Sequence, residues 1–323
     1  MTPNAEAVAV ERATDAAAGS SPIETTYRPP HALDIRTTIG MLRRGGTDPT
    51  MVIDGSVIWR ASRTPDGVAT LALRAVSGEV KATAWGPGAE RALDGVPRLC
   101  GAEDDAEGFD GSGHPIIADT ARRHPGLRLT RTEGVFDALA CAILEQKVTA
   151  MQAFGAWRAL VSRFGERAPG PTPRPMFAPP TVSGWQRIPS WSWHRAGVEP
   201  PQSRTIVRAA ERGGSIVRAV LAADSAEARE RVLTSLPGVG PWTSAETRIR
   251  SLGDPDAVSV GDFHLAHQVG YALTGSRTDD AGMLELLTPW AGQRQRVIRL
   301  IHLSGVREPR RGPRLAPEDH RSR

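Results

Sequence analysis

The sequence predicts an α+β protein: a small antiparallel-sheet α+β domain over residues 27–112, followed by an all-α domain over residues 113–306. Three observations support this. Between Thr50 and Trp85, apolar and polar residues alternate with a period of two. After the loop GSGHP the apolar residues recur at helical spacing. The segment GERAPGPTPRPMFAPPTVSG is too rich in proline and glycine to be an element, so it reads as a connection within the helical region.

Residues 1–26 read as a disordered tail, low in large apolar side chains. A short helix over 35–44 precedes MVID, SVIWRAS, VATLALRAV and SGEVKATAW, an antiparallel meander punctuated by Thr-Pro-Asp-Gly and covered on one face. A helix over 88–93 completes this domain. In residues 133–150, Val135, Phe136, Leu139, Ile143 and Leu144 share one helical stripe, and a second amphipathic helix covers 153–164. Further helices are expected over 202–212, 215–222, 225–236, 241–251, 263–273, 280–287 and 293–303. The helix over 225–236 has Asp224 or Ser225 as its cap. Trp191, Trp193 and His194 in PSWSWH are expected to form an interhelical cluster, and residues 307–323 a basic tail.

A 40% hydrophobic and 24% charged composition excludes disorder along the whole chain. Forty Lys and Arg against 36 Asp and Glu give a net charge of +4, so any polyanion-binding surface must come from how charge is distributed. The two cysteines, Cys100 and Cys141, cannot supply a disulfide scaffold, a four-thiolate zinc site or a four-cysteine iron–sulfur cluster. His264 and His267 lack a carboxylate pair at metal-binding spacing, so no metal is expected. The N-terminus lacks a signal-peptide pattern and no window is apolar enough for a membrane span, so a cytoplasmic protein without a membrane partner is expected.

One segment stands above this background: Ser235-Leu236-Pro237-Gly238-Val239-Gly240-Pro241-Trp242-Thr243-Ser244-Ala245. Gly238 and Gly240 make a tight turn, Val239 plugs it into the core, and Pro241 suits the first position of a new helix. Unbonded N–H groups and the dipole at such a helix start bind phosphate. Further along, Asp256-Ala257-Val258-Ser259-Val260-Gly261-Asp262-Phe263-His264-Leu265 delivers Asp262 to the start of another helix, where it could equally act only as a cap.

Together, LPGVGPWTSA and GDPDAVSVGDFHLA resemble the two motifs of the helix-hairpin-helix DNA glycosylase superfamily, most closely its 3-methyladenine DNA glycosylase II branch. The resemblance extends from about Tyr27 to Arg307. It implies a DNA glycosylase that flips alkylated purines such as 3-methyladenine out of duplex DNA and hydrolyses them off, acting as a monomer in base-excision repair. Asp262 is then the catalytic carboxylate facing an oxocarbenium-like transition state. Bifunctional relatives carry a Schiff-base lysine at the position of Trp242, so the tryptophan here implies monofunctional chemistry.

The same resemblance places Trp242, Glu246 and Trp290 at the base pocket, with the Glu246 charge suited to a cationic base and His302 on the final helix in place of an aromatic. It assigns DNA contacts to Gln146, Lys147, Gly238, Val239, Gly240, Trp242 and Thr243, with Lys147 where a relative uses an apolar wedge. A monovalent cation on the hairpin carbonyls is the one bound ion implied, with no iron–sulfur cluster. The competing reading is a non-catalytic DNA-binding protein that keeps the hairpin and has a degenerate pocket.

Overall fold

The computed structural model describes residues 21–308; the N-terminal tail before them and residues 309–323 of the basic tail lie outside the described residues. Among the described residues, β1 (Ile23–Tyr27), β2 (Met51–Asp54), β3 (Val57–Thr64), β4 (Gly67–Val76) and β5 (Glu79–Trp85) form an antiparallel sheet in the order β1-β5-β4-β3-β2. The alternation that predicts these strands sets their register. Leu71 pairs with Arg60 and Ala84, and Leu73 pairs with Ile58 and Ala82. Positive φ at Ser77 and Gly78 closes the β4–β5 turn.

Two expectations are corrected in this domain. Ile23, Glu24, Thr25 and Thr26, expected in the tail, pair with β5 as an edge strand, because a sheet edge offers backbone partners to a segment whose own composition is weak. The sheet is also covered on both faces rather than one. One face packs Ile58, Leu71 and Leu73 against α1 (Ile35–Ile39), α2 (Ala89–Asp94) and α3 (Val96–Leu99). On the other, Val52 and Ala61 meet Ala168 and Met176 from the proline- and glycine-rich connection. That connection contains the small hairpin β6 (Glu166–Arg167) and β7 (Phe177–Ala178), and Thr70 donates its hydroxyl to the Pro169 carbonyl. Trp59 and Trp85 stack at 5.6 Å, and Gly170 lies so close that a Cβ there would fall 2.5 Å from the Trp85 ring.

The helical region begins with α4 (Pro115–Arg123), α5 (Val135–Leu144) and α6 (Ala150–Phe164), the first of which has no counterpart among the expected helices. The single helix expected over 133–150 stops at Leu144. Gln202 donates to the Leu144 and Gln146 carbonyls, Lys147 takes φ 56°, and Thr149 with Gln152 forms a capping box that starts α6 afresh. Next come α7 (Val182–Gln186), α8 (Ser190–Arg195), α9 (Pro200–Glu211), α10 (Gly213–Ala222) and α11 (Ala226–Thr234), the last capped by Ser225. The described chain ends with α12 (Pro241–Leu252), α13 (Leu265–Thr274), α14 (Asp280–Leu287) and α15 (Arg294–Ser304).

One core joins α5, α6 and α9 to α11 around Trp157, Trp185 and Trp193, whose rings stack at 6.0 and 5.8 Å. Trp191, expected in this cluster, is instead 62% exposed, since residues two apart on a helix point to opposite sides. A second core joins α4 to α13, α14 and α15. No helix among the described residues is long and apolar enough to cross a membrane.

Candidate active site

The hairpin between α11 and α12 forms as its sequence requires. Gly238 has φ 90°, and a Cβ there would sit 2.3 Å from Thr205 Oγ1 on α9, so both backbone conformation and packing demand glycine. Gly240 differs: nothing lies within 4 Å of a Cβ at this position, which leaves the approach to the start of α12 open. Val239 is buried in the core. Pro241 opens α12, and the N–H groups of Trp242 and Thr243 have no carbonyl one turn earlier within the helix. The two hairpin helices are locked by Arg248, buried on α12, which pairs with Glu230 of α11 at 2.9 Å and with Asp254 beyond the helix end.

Asp262 follows Gly261, which has φ 87°. Oδ1 of Asp262 accepts the N–H groups of His264 and Leu265 at 2.8 and 2.9 Å, at the entrance to α13. Its Oδ2 accepts the indole N–H of Trp242 at 3.2 Å. The two sequence motifs therefore meet at one carboxylate. Asp262 thus holds the N–H of the α13 N-cap residue, His264, and that of Leu265, the first residue of α13, rather than occupying the cap position its sequence context suggests, and it is also tied to the hairpin.

Trp242, expected in a base pocket, has a partly buried indole that serves Asp262 directly, so positioning the carboxylate is a role the structure adds. Glu246, one turn further on α12, is expected to present negative charge to a base. Instead Arg250 neutralises it at 2.6 Å and the Ser259 hydroxyl donates to it at 2.6 Å. Trp290, also expected in a base pocket, is 8% exposed, packs in the α13–α15 core and donates its N–H to the Asp110 carbonyl, so it is a packing residue.

Gln146 is expected to project toward DNA. Its amide instead donates to the Gly238 carbonyl at 2.9 Å and to Thr243 Oγ1 at 2.8 Å, because the end of α5 abuts the hairpin. Thr243 is 2% exposed, so it, like buried Val239, can meet a ligand only through its backbone. Lys147 remains exposed, at the left-handed apex of the α5–α6 turn. Strained non-glycine residues of this kind concentrate at functional sites.

The structure adds residues that the motifs do not flag. Phe263, adjacent to Asp262, is 81% exposed, and its ring meets His264 edge-on at 4.8 Å. Met151, just after the Lys147 turn, is 67% exposed. Their signal in the sequence is an apolar residue at a helix start with no stripe to join. On α15, His302 is exposed, and partial desolvation, then Arg299 and Arg307, lower its imidazole from the ordinary value, against the opposing pull of Asp262 and Glu246. Among the described residues, no group of three or more His, Cys, Asp or Glu could hold a metal ion.

No family model matches the chain. Over 180 residues it is 25% identical to the DNA-3-methyladenine glycosylase of Bacillus subtilis (strain 168), a match covering 54% of this chain and 59% of that protein. The fold is similar to the 3-methyladenine DNA glycosylase of Archaeoglobus fulgidus, with a TM-score of 0.74 at 16% identity over 87% of this chain and 98% of that one. It is also similar to the Clostridium acetobutylicum 8-oxoguanine glycosylase/lyase in complex with double-stranded DNA, with a TM-score of 0.68 at 11% identity over 88% and 97% of the two chains.

Proposed function

From the helix-hairpin-helix DNA glycosylase fold that this chain has, we propose that the protein is a monofunctional DNA glycosylase, which flips an alkylated purine out of duplex DNA and leaves an abasic site. The observation that carries this reading is Asp262, held by three donors beside an intact phosphate-binding hairpin. Breaking the N-glycosidic bond builds positive charge on the deoxyribose, and a carboxylate fixed in orientation stabilises that charge without reorganising. Whether it acts only on the cation or also draws a proton from the attacking water, the role needs the same placement.

Duplex DNA is the partner. The open approach at Gly240 lets a phosphate reach the N–H groups of Trp242 and Thr243, and exposed Lys147 and Phe263 each follow a residue hydrogen-bonded to the first turn of α12, Gln146 and Asp262. A monovalent cation on the hairpin would have to share or avoid the Gly238 carbonyl, which Gln146 already engages. Trp242 stands where a Schiff-base lysine would be needed, and an indole cannot be that nucleophile, which supports hydrolysis without strand cleavage. The 3-methyladenine named for two relatives supports alkylated purines as the lesion class.

The test is to incubate the protein with duplex DNA carrying defined alkylated purines and to measure released base and intact abasic sites. Release by the wild type and none by Asp262→Asn is expected. A non-catalytic DNA-binding protein is the second reading, favoured by the pairing of Glu246 with Arg250, which leaves little free negative charge for a cationic base. DNA binding without release of any lesion would establish it.

A further inference from the structure

Phe263 stands in water beside Asp262 with no packing role in the protein itself. The loop that carries it is held on several sides. Gly261 takes φ 87° and donates its N–H to Asp280 Oδ2 at 3.0 Å, and Asp262 donates its own N–H to the Ser259 carbonyl at 3.2 Å. Asp262 Oδ1 then accepts the N–H groups of His264 and Leu265. Leu265 turns inward to the α13–α15 core, whereas Phe263 is 81% exposed and joins no hydrophobic cluster among the described residues. Its ring meets His264 edge-on at 4.8 Å, which covers at most one of its two faces. A phenyl ring left in water forgoes the stabilisation of burial, and the free protein gains nothing in exchange.

Its position decides what covers it. Asp262 is half-buried, while Gly261 before it and Phe263 and His264 after it are exposed. A deoxyribose brought to Asp262 carries the duplex with it, and the Cα of Phe263 lies about 3.8 Å from that of Asp262. The adjoining nucleotide of the same strand is only about 3.4 Å further along the helix axis. The ring and that nucleotide therefore meet when the sugar of the flipped nucleotide reaches the carboxylate. Lys147, the other exposed side chain that follows a residue bonded to the first turn of α12, brings a charge rather than a flat apolar face.

We infer, resting on the glycosylase activity proposed for this chain, that Phe263 stacks on the nucleobase next to the flipped nucleotide, against the face that flipping uncovers. A nucleotide leaving the helix strips stacking from its neighbours, and an aromatic ring restores it to the neighbour it touches. The hydrogen-bonded loop already holds the backbone of Phe263 in place, so little further order has to be imposed on binding. The contact recognises an opened stack, whatever base has left it, and is absent from a duplex whose bases all remain stacked.

Binding is measured at one salt concentration on two duplexes that differ at a single central position, undamaged or carrying a tetrahydrofuran abasic analogue. A 2-aminopurine, whose fluorescence falls when it stacks, is placed on one side of that position and then on the other. Phe263→Ala should weaken binding to the abasic duplex about tenfold, against at most about twofold for the undamaged one, and should leave 2-aminopurine on one side brighter than the wild type does. Phe263→Trp should restore both. Phe263→Leu, which also lacks a flat ring, replaces the alanine variant if that does not fold. Equal losses on the two duplexes, or no loss on the abasic one, overturns the inference. Base release from duplexes carrying defined alkylated purines is measured in parallel. Release by the wild type, with abasic binding intact in Phe263→Ala, overturns the stacking and spares the glycosylase reading. The selective loss of abasic binding, with no lesion released by the wild type, supports the contact and overturns that reading.

Discussion

The indole N–H of Trp242 donates to the Asp262 carboxylate across 3.2 Å, joining the first turn of α12 to the entrance of α13. Asp262 accepts two backbone N–H groups as well, so its orientation is fixed from two sides. A carboxylate used against a developing cation needs this restraint, since a freely rotating one would lose part of its effect to reorganisation.

Asp262→Asn should lower base release by about 10²-fold or more while preserving the fold, because asparagine Oδ1 can still accept the two N–H groups at the entrance to α13. Quantifying free base after incubation with lesion-bearing duplex, alongside a thermal melt, checks both halves. A variant as active as the wild type would remove Asp262 from the catalytic role.

Trp242→Phe keeps an aromatic ring and removes the N–H. The loss should appear in kcat, by about tenfold, corresponding to about 1.4 kcal/mol for a hydrogen bond to a charged group, with KM little changed. A change confined to KM would assign Trp242 to base binding alone.

The two hairpin glycines should fail differently. Gly238→Ala places a side chain at φ 90° against Thr205 and should destabilise the protein by about 2 kcal/mol or more in denaturant unfolding. Gly240→Asp has room, so it should fold normally and weaken binding to all duplex sequences by placing negative charge where a phosphate would sit. Comparing unfolding midpoints with DNA affinities at fixed salt separates the two effects.

Gln146→Leu should act through the hairpin rather than through a lost DNA contact. It removes two donations, to Gly238 O and Thr243 Oγ1, and leaves a buried hydroxyl with one fewer partner. A stability loss of about 1–2 kcal/mol is expected, and a variant of unchanged stability with weakened binding would reverse that assignment.

Asp137, on α5, lines a cavity of about 60 Å³ between the sheet and the helical region, together with Arg60 and Arg250. Burial raises its carboxyl to about 6, against the opposing pull of Arg60 and Arg63. A raised acid binds its proton more tightly in the folded state. Its stabilising contribution is therefore present below the unfolded value near 3.8 and is lost as pH rises through about 6. Asp137→Asn should raise stability at pH 7.5 by about 2 kcal/mol and little at pH 4, as read from denaturant midpoints at both values.

The parts of the protein legible in the amino-acid sequence are those whose signals are local. Period-two alternation specifies β2 to β5, and Gly238, Gly240 and Pro241 specify the hairpin and the start of α12, since dihedral freedom and a missing N–H act within a few residues. The break between α5 and α6 is also written locally, in Thr149 and Gln152, but the apolar stripe running through Leu144 masks it.

What the polar side chains do is settled by tertiary packing alone. Whether Glu246 is a free charge depends on Arg250 and Ser259, and whether Gln146 faces DNA depends on how closely the end of α5 approaches Gly238. Likewise, Trp290 becomes core through α13 to α15 and a carbonyl 180 residues away. Hydrogen bonds and ion pairs act over a few ångströms, and their partners come together only when distant segments pack. The carboxylate and the hairpin are thus readable from the chain's own order of residues, while packing determines which charges around them remain available to a substrate.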